Sequence, residues 1–109
     1  MAFAEKANDG VFTGATAVDL VPVPISAHTF VMRNLVLHNA DTVAATFIIS
    51  YNNNGTLRRM YKITLDPDAT ATLEVVAVLD ATTKKVQGAL AAAHTTTAPT
   101  FVAAYGDVS

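Results

Sequence analysis

The amino-acid sequence predicts an all-β protein, a single antiparallel β-sandwich of jelly-roll-like form with about seven or eight strands. Three observations support this fold class. Ala, Val and Thr dominate the 109 residues, and small β-branched side chains suit a pleated sheet. Apolar runs of strand length recur roughly every ten residues, with Gly, Pro, Asn or Asp between them. The chain is 51% hydrophobic, which is enough for one core in one domain.

Residues 1–15 are predicted to form an extended N-terminal arm, and residues 16–109 the sandwich domain. The first segment shows no sustained period, but it carries three large apolar side chains that a solvated tail does not need: Phe3, Val11 and Phe12. Two interpretations stay open. The segment is either a loose terminus with an edge strand at 10–13, or an arm that docks on a neighbouring subunit.

The first strands of the domain are expected at 16–21 and 29–38. Pro22 ends the first, because proline cannot donate to a β-ladder. The second is apolar on both faces, which is typical of a central strand or of one covered on its outer face. Arg33-Asn34 interrupts its alternation, as a β-bulge does.

A hairpin is expected around Asn54-Gly55, and two registers are possible. A two-residue type I′ loop places Tyr51 opposite Arg58. A three-residue loop with a G1 bulge, beginning one residue earlier, places Tyr51 opposite Leu57 instead. The second register separates apolar from polar faces better, and burial fixes register, so we predict the bulged loop.

That register pairs Phe47 with Tyr61 on the inner face. On the outer face it pairs Ile48 with Met60, which leaves two apolar side chains on the exterior of the sheet. An exterior of this kind suits a domain that buries surface in its neighbours.

Three further segments complete the prediction. A turn at Asp66-Pro67-Asp68 precedes a strand over 70–79. Residues 84–94 are compatible with a helix, but the interior Gly88 disfavours helix by about 1 kcal/mol, and alternating apolar positions favour a strand. The last strand is expected at 100–108.

Charge and composition exclude several classes of protein. The net charge is −2 and the basic residues are scattered, whereas a nucleic-acid-binding surface concentrates Lys and Arg. No apolar run approaches the ~20 residues that span a membrane, and no secretory leader is evident. Without cysteine, neither a disulfide framework nor a thiolate metal site is possible.

The residues also indicate no enzyme, no cofactor and no metal site. None of the three histidines stands at a metal-ligand spacing from a second ligand; they are His28, His38 and His94. The aspartates around Pro67 are typical of a turn rather than of a calcium site. No serine lies in a nucleophile elbow, so no catalytic residue is assigned.

Several segments resemble small virion structural proteins of tailed bacteriophages, over about residues 13–108. They are TGATAVDLV near the start, RNLVLHNADT at 33–42, LDPDAT at 65–70, VLDATT at 78–83 and the closing FVAAYGDV. The resemblance implies a single β-sandwich that decorates the capsid or joins the neck or tail of the particle. It also favours a strand over 84–91, and it supplies no catalytic residues.

The expected function is therefore a non-enzymatic capsid decoration, or cement, protein of the virion, made in the host cytoplasm. Its expected partners are the major capsid protein or other virion proteins. It is also expected to associate with copies of itself as a homo-oligomer, namely a trimer. The candidate interface residues are Phe3, Val11, Phe12, Ile48 and Met60. Two alternatives remain: a neck or tail adaptor, and a carbohydrate-binding module. The second would need an aromatic platform from Phe47, Tyr51, Tyr61 and Tyr105, for which core packing is the favoured prediction.

Overall fold

The computed structural model describes residues 2–109, which form two antiparallel sheets packed face to face. In sheet order, β1, β9, β3 and β6 lie side by side, with β7 also paired to β3; the second sheet runs β2, β8, β4 and β5. The strands are β1 (Phe3–Val11), β2 (Val18–Val21), β3 (Thr29–His38), β4 (Ala45–Asn53), β5 (Thr56–Leu65), β6 (Thr70–Leu73), β7 (Ala77–Leu79), β8 (Lys84–Leu90) and β9 (Thr100–Val108).

The strand pairs are nested, as in one long hairpin wrapped into two layers. β1 pairs with β9, β2 with β8, β3 with both β6 and β7, and β4 with β5. Two further pairs, β3 with β9 and β4 with β8, complete the sheets. This is the connectivity of a jelly roll, so the predicted fold class is confirmed. The difference in strand number arises at 74–76, which divides the expected strand over 70–79 into β6 and β7.

The core lies between the two inner faces, and every strand except β1 and β6 contributes at least one buried residue to it. Phe12, in the connection between β1 and β2, is fully buried and joins the layers. Its ring meets Phe47 of one sheet edge-on at 5.2 Å and Phe101 of the other at 5.4 Å between centroids. Gly88 makes room for that ring, because a Cβ there would lie 2.7 Å from it.

Within the predicted arm, the described residues 2–15 are not separate from the sandwich in this structure. From Phe3 to Val11 they form β1, which pairs with β9 along its whole length. The strand therefore begins earlier than the edge strand expected at 10–13. The sequence hides it because a strand at the edge, with little burial on either face, shows no clear period.

β3 behaves as predicted. It lies between β9 on one side and both β6 and β7 on the other, each of which pairs with it. Its register with β9 shifts between Met32 and Asn34. The predicted bulge at Arg33 is therefore confirmed. The shift keeps Met32 and Leu35 on the buried face although three positions separate them, while Arg33 turns outward.

The predicted three-residue hairpin loop is wrong. Tyr51 pairs with Arg58, so the loop is the two-residue turn Asn54-Gly55. Both of these residues have positive φ, 54° and 94°, as a type I′ turn requires. The register instead shifts beside Met60, between the Ser50–Arg59 and Ile49–Tyr61 pairs.

The register shift beside Met60 aligns the apolar faces of the two strands, which is the effect that the predicted loop bulge was expected to have. Beyond it, Phe47 faces Ile63 and Ile49 faces Tyr61, so the apolar residues of both strands share the inner face. The principle that burial selects the register holds, but the extra residue lies within β5. Because the bulge carries Met60 against the core, Ile48 faces Lys62 on the outside instead.

Residues 84–90 form β8, so the strand prediction for this segment is confirmed over helix. The strand is central, between β2 and β4. Its inner positions are Val86, Gly88 and Leu90, and the alternation that disfavoured a helix is the alternation of this buried face.

Loops at one end of the sandwich are tied together by two buried polar residues. Asn39 donates from Nδ2 to the carbonyls of Val43 and Leu65, at 2.9 and 3.0 Å, and its Oδ1 accepts from Asp41. The Asp41 carboxylate accepts N–H bonds from Thr42 and from three residues of the β8–β9 loop: Thr95, Thr96 and Thr97. This end is therefore held in one arrangement.

Candidate interaction surfaces

A shallow groove of about 550 Å³ crosses the outer face of the four-stranded sheet. Its floor includes Ile48 and Ala89, which are register partners in β4 and β8. Small side chains produce the depression, since the β1–β2 connection and the end of β8 supply Ala15, Ala17 and Ala91. A groove lined in this way can make shape-complementary apolar contacts with a partner, but it presents few reactive side chains.

One wall of the groove belongs to β5, beside the hairpin turn. Leu57 is 56% exposed, and Arg59 lies next to it on the outer face, opposite Ser50. The type I′ register places both side chains there. Neither residue is among the predicted interface residues, because the predicted hairpin register turns each of them to the other face.

Polar groups beside the groove are already engaged with one another. Gln87 donates to Asp19 at 3.1 Å and accepts from Asn52 at 2.8 Å. Lys85 lies 3.4 Å from the same aspartate. These bonds bridge β2, β8 and β4, so this part of the face is a rigid polar border to the apolar groove.

The outer face of the five-stranded sheet carries a second apolar surface. Its exposed members come from β1, β7 and β9: Phe3, Val11, Val78 and Val102. The Phe3 ring covers Gly106, where a Cβ would come within 2.6 Å of it. The Arg33 guanidinium stands 5.3 Å from the ring centroid, in the range of a cation–π contact, and its Nε is 3.8 Å from Glu5.

The five predicted interface residues are distributed over both faces and the core. Phe3 and Val11 are about half exposed on the five-stranded sheet, and Ile48 lies in the groove of the four-stranded sheet. Met60 is partly buried against the core. The burial of Phe12 is accounted for by the chain's own core. The structure does not gather the five into one site.

The aromatic residues weighed for a sugar-binding platform are dispersed in the same way. Phe47 and Tyr105 are buried on the inner faces of opposite sheets. The hydroxyl of Tyr51 donates to the Val78 carbonyl at 2.9 Å, and that of Tyr61 donates to the Glu74 carbonyl at 3.1 Å. Both tyrosines therefore bridge the sandwich layers, but only Tyr51 packs against the core as predicted, and Tyr61 is 38% exposed.

Two of the three histidines, His28 and His38, contact side chains of other strands or loops. His28 Nδ1 lies 2.7 Å from the buried carboxylate of Asp107, which also pairs with Lys6 at 3.1 Å. The hydrogen bond from His28, aided by Lys6, holds the pKa of Asp107 below its usual range against the opposing effect of burial. His38 contacts Thr70 at 2.7 Å and Asp68 at 3.4 Å.

Residues 2–109 contain neither a metal-binding cluster nor a membrane-spanning helix. Within residues 2–109, no three His, Cys, Asp or Glu side chains come together as a metal-binding group. Over the same residues, no helix is long and apolar enough to cross a membrane.

Comparisons with known proteins show the fold but not a family. No family model and no curated protein matches the chain. A chain of the structure titled "Bacillus endospore appendages form a novel family of disulfide-linked pili" is 18% identical, with a TM-score of 0.53 over 97% of this chain and 84% of that one. The crystal structure of PirA is 12% identical, with a TM-score of 0.52 over 91% of each chain.

A viral protein shares the fold as well. In the structure of infectious bursal disease virus, Gx strain, one chain gives a TM-score of 0.55 at 8% identity over 98% of this chain. This chain spans 32% of that viral chain. At these identities the likeness establishes a common β-sandwich architecture and nothing about activity.

Proposed function

We propose that this chain is a non-enzymatic structural subunit of a virion, and specifically a capsid decoration protein that binds and stabilises the capsid surface. The observation that carries the proposal is the apolar groove on the outer face of the four-stranded sheet, whose wall includes the exposed Leu57. Exposed apolar side chains on the outer face of the five-stranded sheet add to it: Phe3, Val11, Val78 and Val102. Extended apolar surface of this kind is typical of proteins that bury it against partners.

Low charge supports the same proposal. Only 15% of the residues are charged, against about 25% in typical soluble domains. Several of these charged side chains form ion pairs within the chain, as in the Lys6–Asp107 and Lys84–Asp80 pairs. A surface with few free charges loses little solvation when a neighbour covers it.

Two of the similar folds belong to proteins of assemblies, a pilus and a virus. The pili are described as disulfide-linked. Because this chain has no cysteine, its copies would be held together by noncovalent contacts alone. Noncovalent burial of about 1,200–2,000 Å² per interface is enough for a specific complex.

A reconstitution experiment tests the proposal. Particles assembled without the chain are mixed with the purified protein, re-isolated by sedimentation, and heated while genome release is followed. We expect the chain to co-sediment at a fixed ratio to the capsid protein and to raise the release temperature. Binding confined to the neck or tail, located by electron microscopy, would assign the adaptor role instead, and no binding to particles would overturn the proposal.

A further inference from the structure

β1 makes no contribution to the hydrophobic core. All nine of its residues are exposed or half-buried. The positions that face inward, opposite buried residues of β9, hold Ala4, Lys6, Asn8 and Gly10. Among residues 2–109, every buried apolar side chain lies at residue 12 or beyond, so β1 adds no buried apolar side chain to the core.

Polar contacts hold β1 in place. Beyond the backbone ladder with β9, Lys6 pairs with Asp107 at 3.1 Å. The Asn8 amide donates to the carbonyls of Asp19 and Leu20 at 3.2 and 3.0 Å. Such bonds exchange with water at modest net cost, about 0.5–1.5 kcal/mol each. Elements held in this way belong to the least stable part of a structure.

The chain is fixed immediately after β1. Phe12 is fully buried, and its N–H donates to the Pro99 carbonyl at 2.9 Å. Two residues later, the Gly14 carbonyl accepts from Leu90 at 2.9 Å. β1 is thus a strand with an anchored base and a weakly held length, and the junction between Val11 and Phe12 is its pivot.

The site that β1 fills is nevertheless specific for its sequence. A Cβ added to Gly106 would lie 2.6 Å from the Phe3 ring. A Cβ added to Gly10 would lie 3.2 Å from the Phe101 ring. These two close fits, seven residues apart, set the register. A strand of the same sequence from a second copy matches both.

The dimensions permit exchange. Nine residues of extended chain reach about 30 Å at roughly 3.3 Å per residue. Because Phe12 stays anchored, exchange in the same register requires a neighbour whose β9 begins beside the base of β1, and the released strand then lies along that β9 over its full length. Exchange of an identical element between protomers replaces its contacts without loss, which makes domain swapping a low-cost route to assembly.

We propose that β1 is an exchangeable strand, which in the assembled protein leaves its own β9 and pairs with the β9 of a neighbouring copy in the same register. The proposal rests on the self-association that the proposed function includes, but not on the identity of the particle. It gives β1, the first part of the arm predicted over residues 1–15, the role of a contact with a neighbour, and it turns the Lys6–Asp107 pair into a contact between subunits.

Disulfide trapping tests the exchange cleanly, because the natural chain has no cysteine. Ala7 and Ala104 are Cα partners across β1 and β9. The A7C and A104C variants are purified separately, mixed, concentrated until oligomers form, and oxidised. The matched control mixes V36C with V102C, a partner pair between β3 and β9 that includes no residue of β1.

We expect a disulfide between A7C and A104C chains in the oligomer, identified by mass spectrometry, and none in the control mixture. We also expect the A7C/A104C double variant, oxidised as a monomer, to lose oligomer formation and to regain it on reduction. Oligomers without the A7C–A104C link, or with equal linking in the control, would overturn the exchange and leave self-association standing. A chain that stays monomeric at every concentration would contradict both.

Discussion

At the scale of single residues, Phe12 joins the two halves of the molecule from a position between strands. It contacts an aromatic ring of each sheet and lies over Gly88. The sequence identifies it as a large apolar residue in need of a partner, but both of its neighbours, Val11 and Thr13, are exposed. With no alternation around it, the pattern cannot show whether that partner lies in the same chain or in another.

Replacing Phe12 with Ala is expected to lower the free energy of unfolding by about 3–5 kcal/mol, because it removes a buried ring and leaves a cavity. Chemical denaturation measures the change. The matched control is Val11→Ala, at a side chain that is 51% exposed, where about 0.5 kcal/mol or less is expected. Equal effects of the two variants would show that Phe12 is not part of the core.

Asp41 provides a test by pH. The N–H of Thr95, with those of Thr96, Thr42 and Thr97, holds the pKa of the Asp41 carboxyl well below its usual range, against the opposing effect of burial. Since the pKa is lower in the folded state, the ionised group stabilises the fold above the unfolded value of about 3.9, and this contribution declines as the pH falls below it.

Melting temperatures of the natural chain and of Asp41→Asn, measured from pH 7 to pH 2, check this account. We expect the natural chain to be more stable at pH 7 and the difference between the two proteins to narrow below about pH 4. Groups common to both proteins cancel in that difference. A gap of constant size across the whole range would contradict the assigned role of the carboxylate.

At the scale of elements, the sequence predicts strands best where one face is consistently buried. β3, β8 and β9 follow alternating apolar positions, and the bulge at Arg33 is visible as a break in that alternation. The hairpin is different. An extra residue in the loop and an extra residue at Met60 both align the apolar faces, so alternation alone does not choose between them.

Local backbone geometry makes that choice, because Asn54 and Gly55 both adopt positive φ. Gly55→Ala is expected to destabilise the protein by about 1–2 kcal/mol, the cost of placing a Cβ in the left-handed region. No heavy atom lies within 4 Å of the new Cβ, so the cost is one of conformation. Denaturant unfolding measures it, with Thr56→Ala as the control; a neutral Gly55→Ala would contradict the type I′ turn.

At the scale of the whole molecule, the jelly roll presents an apolar groove on the outer face of one sheet. On the outer face of the other sheet, exposed apolar side chains lie at Phe3, Val11, Val78 and Val102. The sequence indicates an exterior of this kind through its low charge and its strands with two apolar faces. It does not locate the groove, which depends on residues from the β1–β2 connection, β4, β5 and β8 that are far apart in the chain. Only the wrapped topology brings them together.

Leu57→Glu is expected to leave the fold intact and to abolish binding to particles, because it replaces an exposed apolar side chain of the groove wall with a carboxylate that loses its hydration when a partner covers it. Val43→Glu is the matched control, since Val43 is exposed to a similar degree, 45% against 56%, but lies in the loops at the end of the sandwich. Both variants should unfold within about 0.5 kcal/mol of the natural chain. Loss of binding by both, or by neither, would remove the groove from the interface.

Electron cryo-microscopy of assembled particles that contain the chain tests the central claim most directly. The account predicts jelly-roll density on the capsid surface, with the groove around Ile48 and Leu57 covered by a neighbouring subunit. A chain that is absent from the particles, or that stands on them with both apolar faces open to solvent, would contradict it.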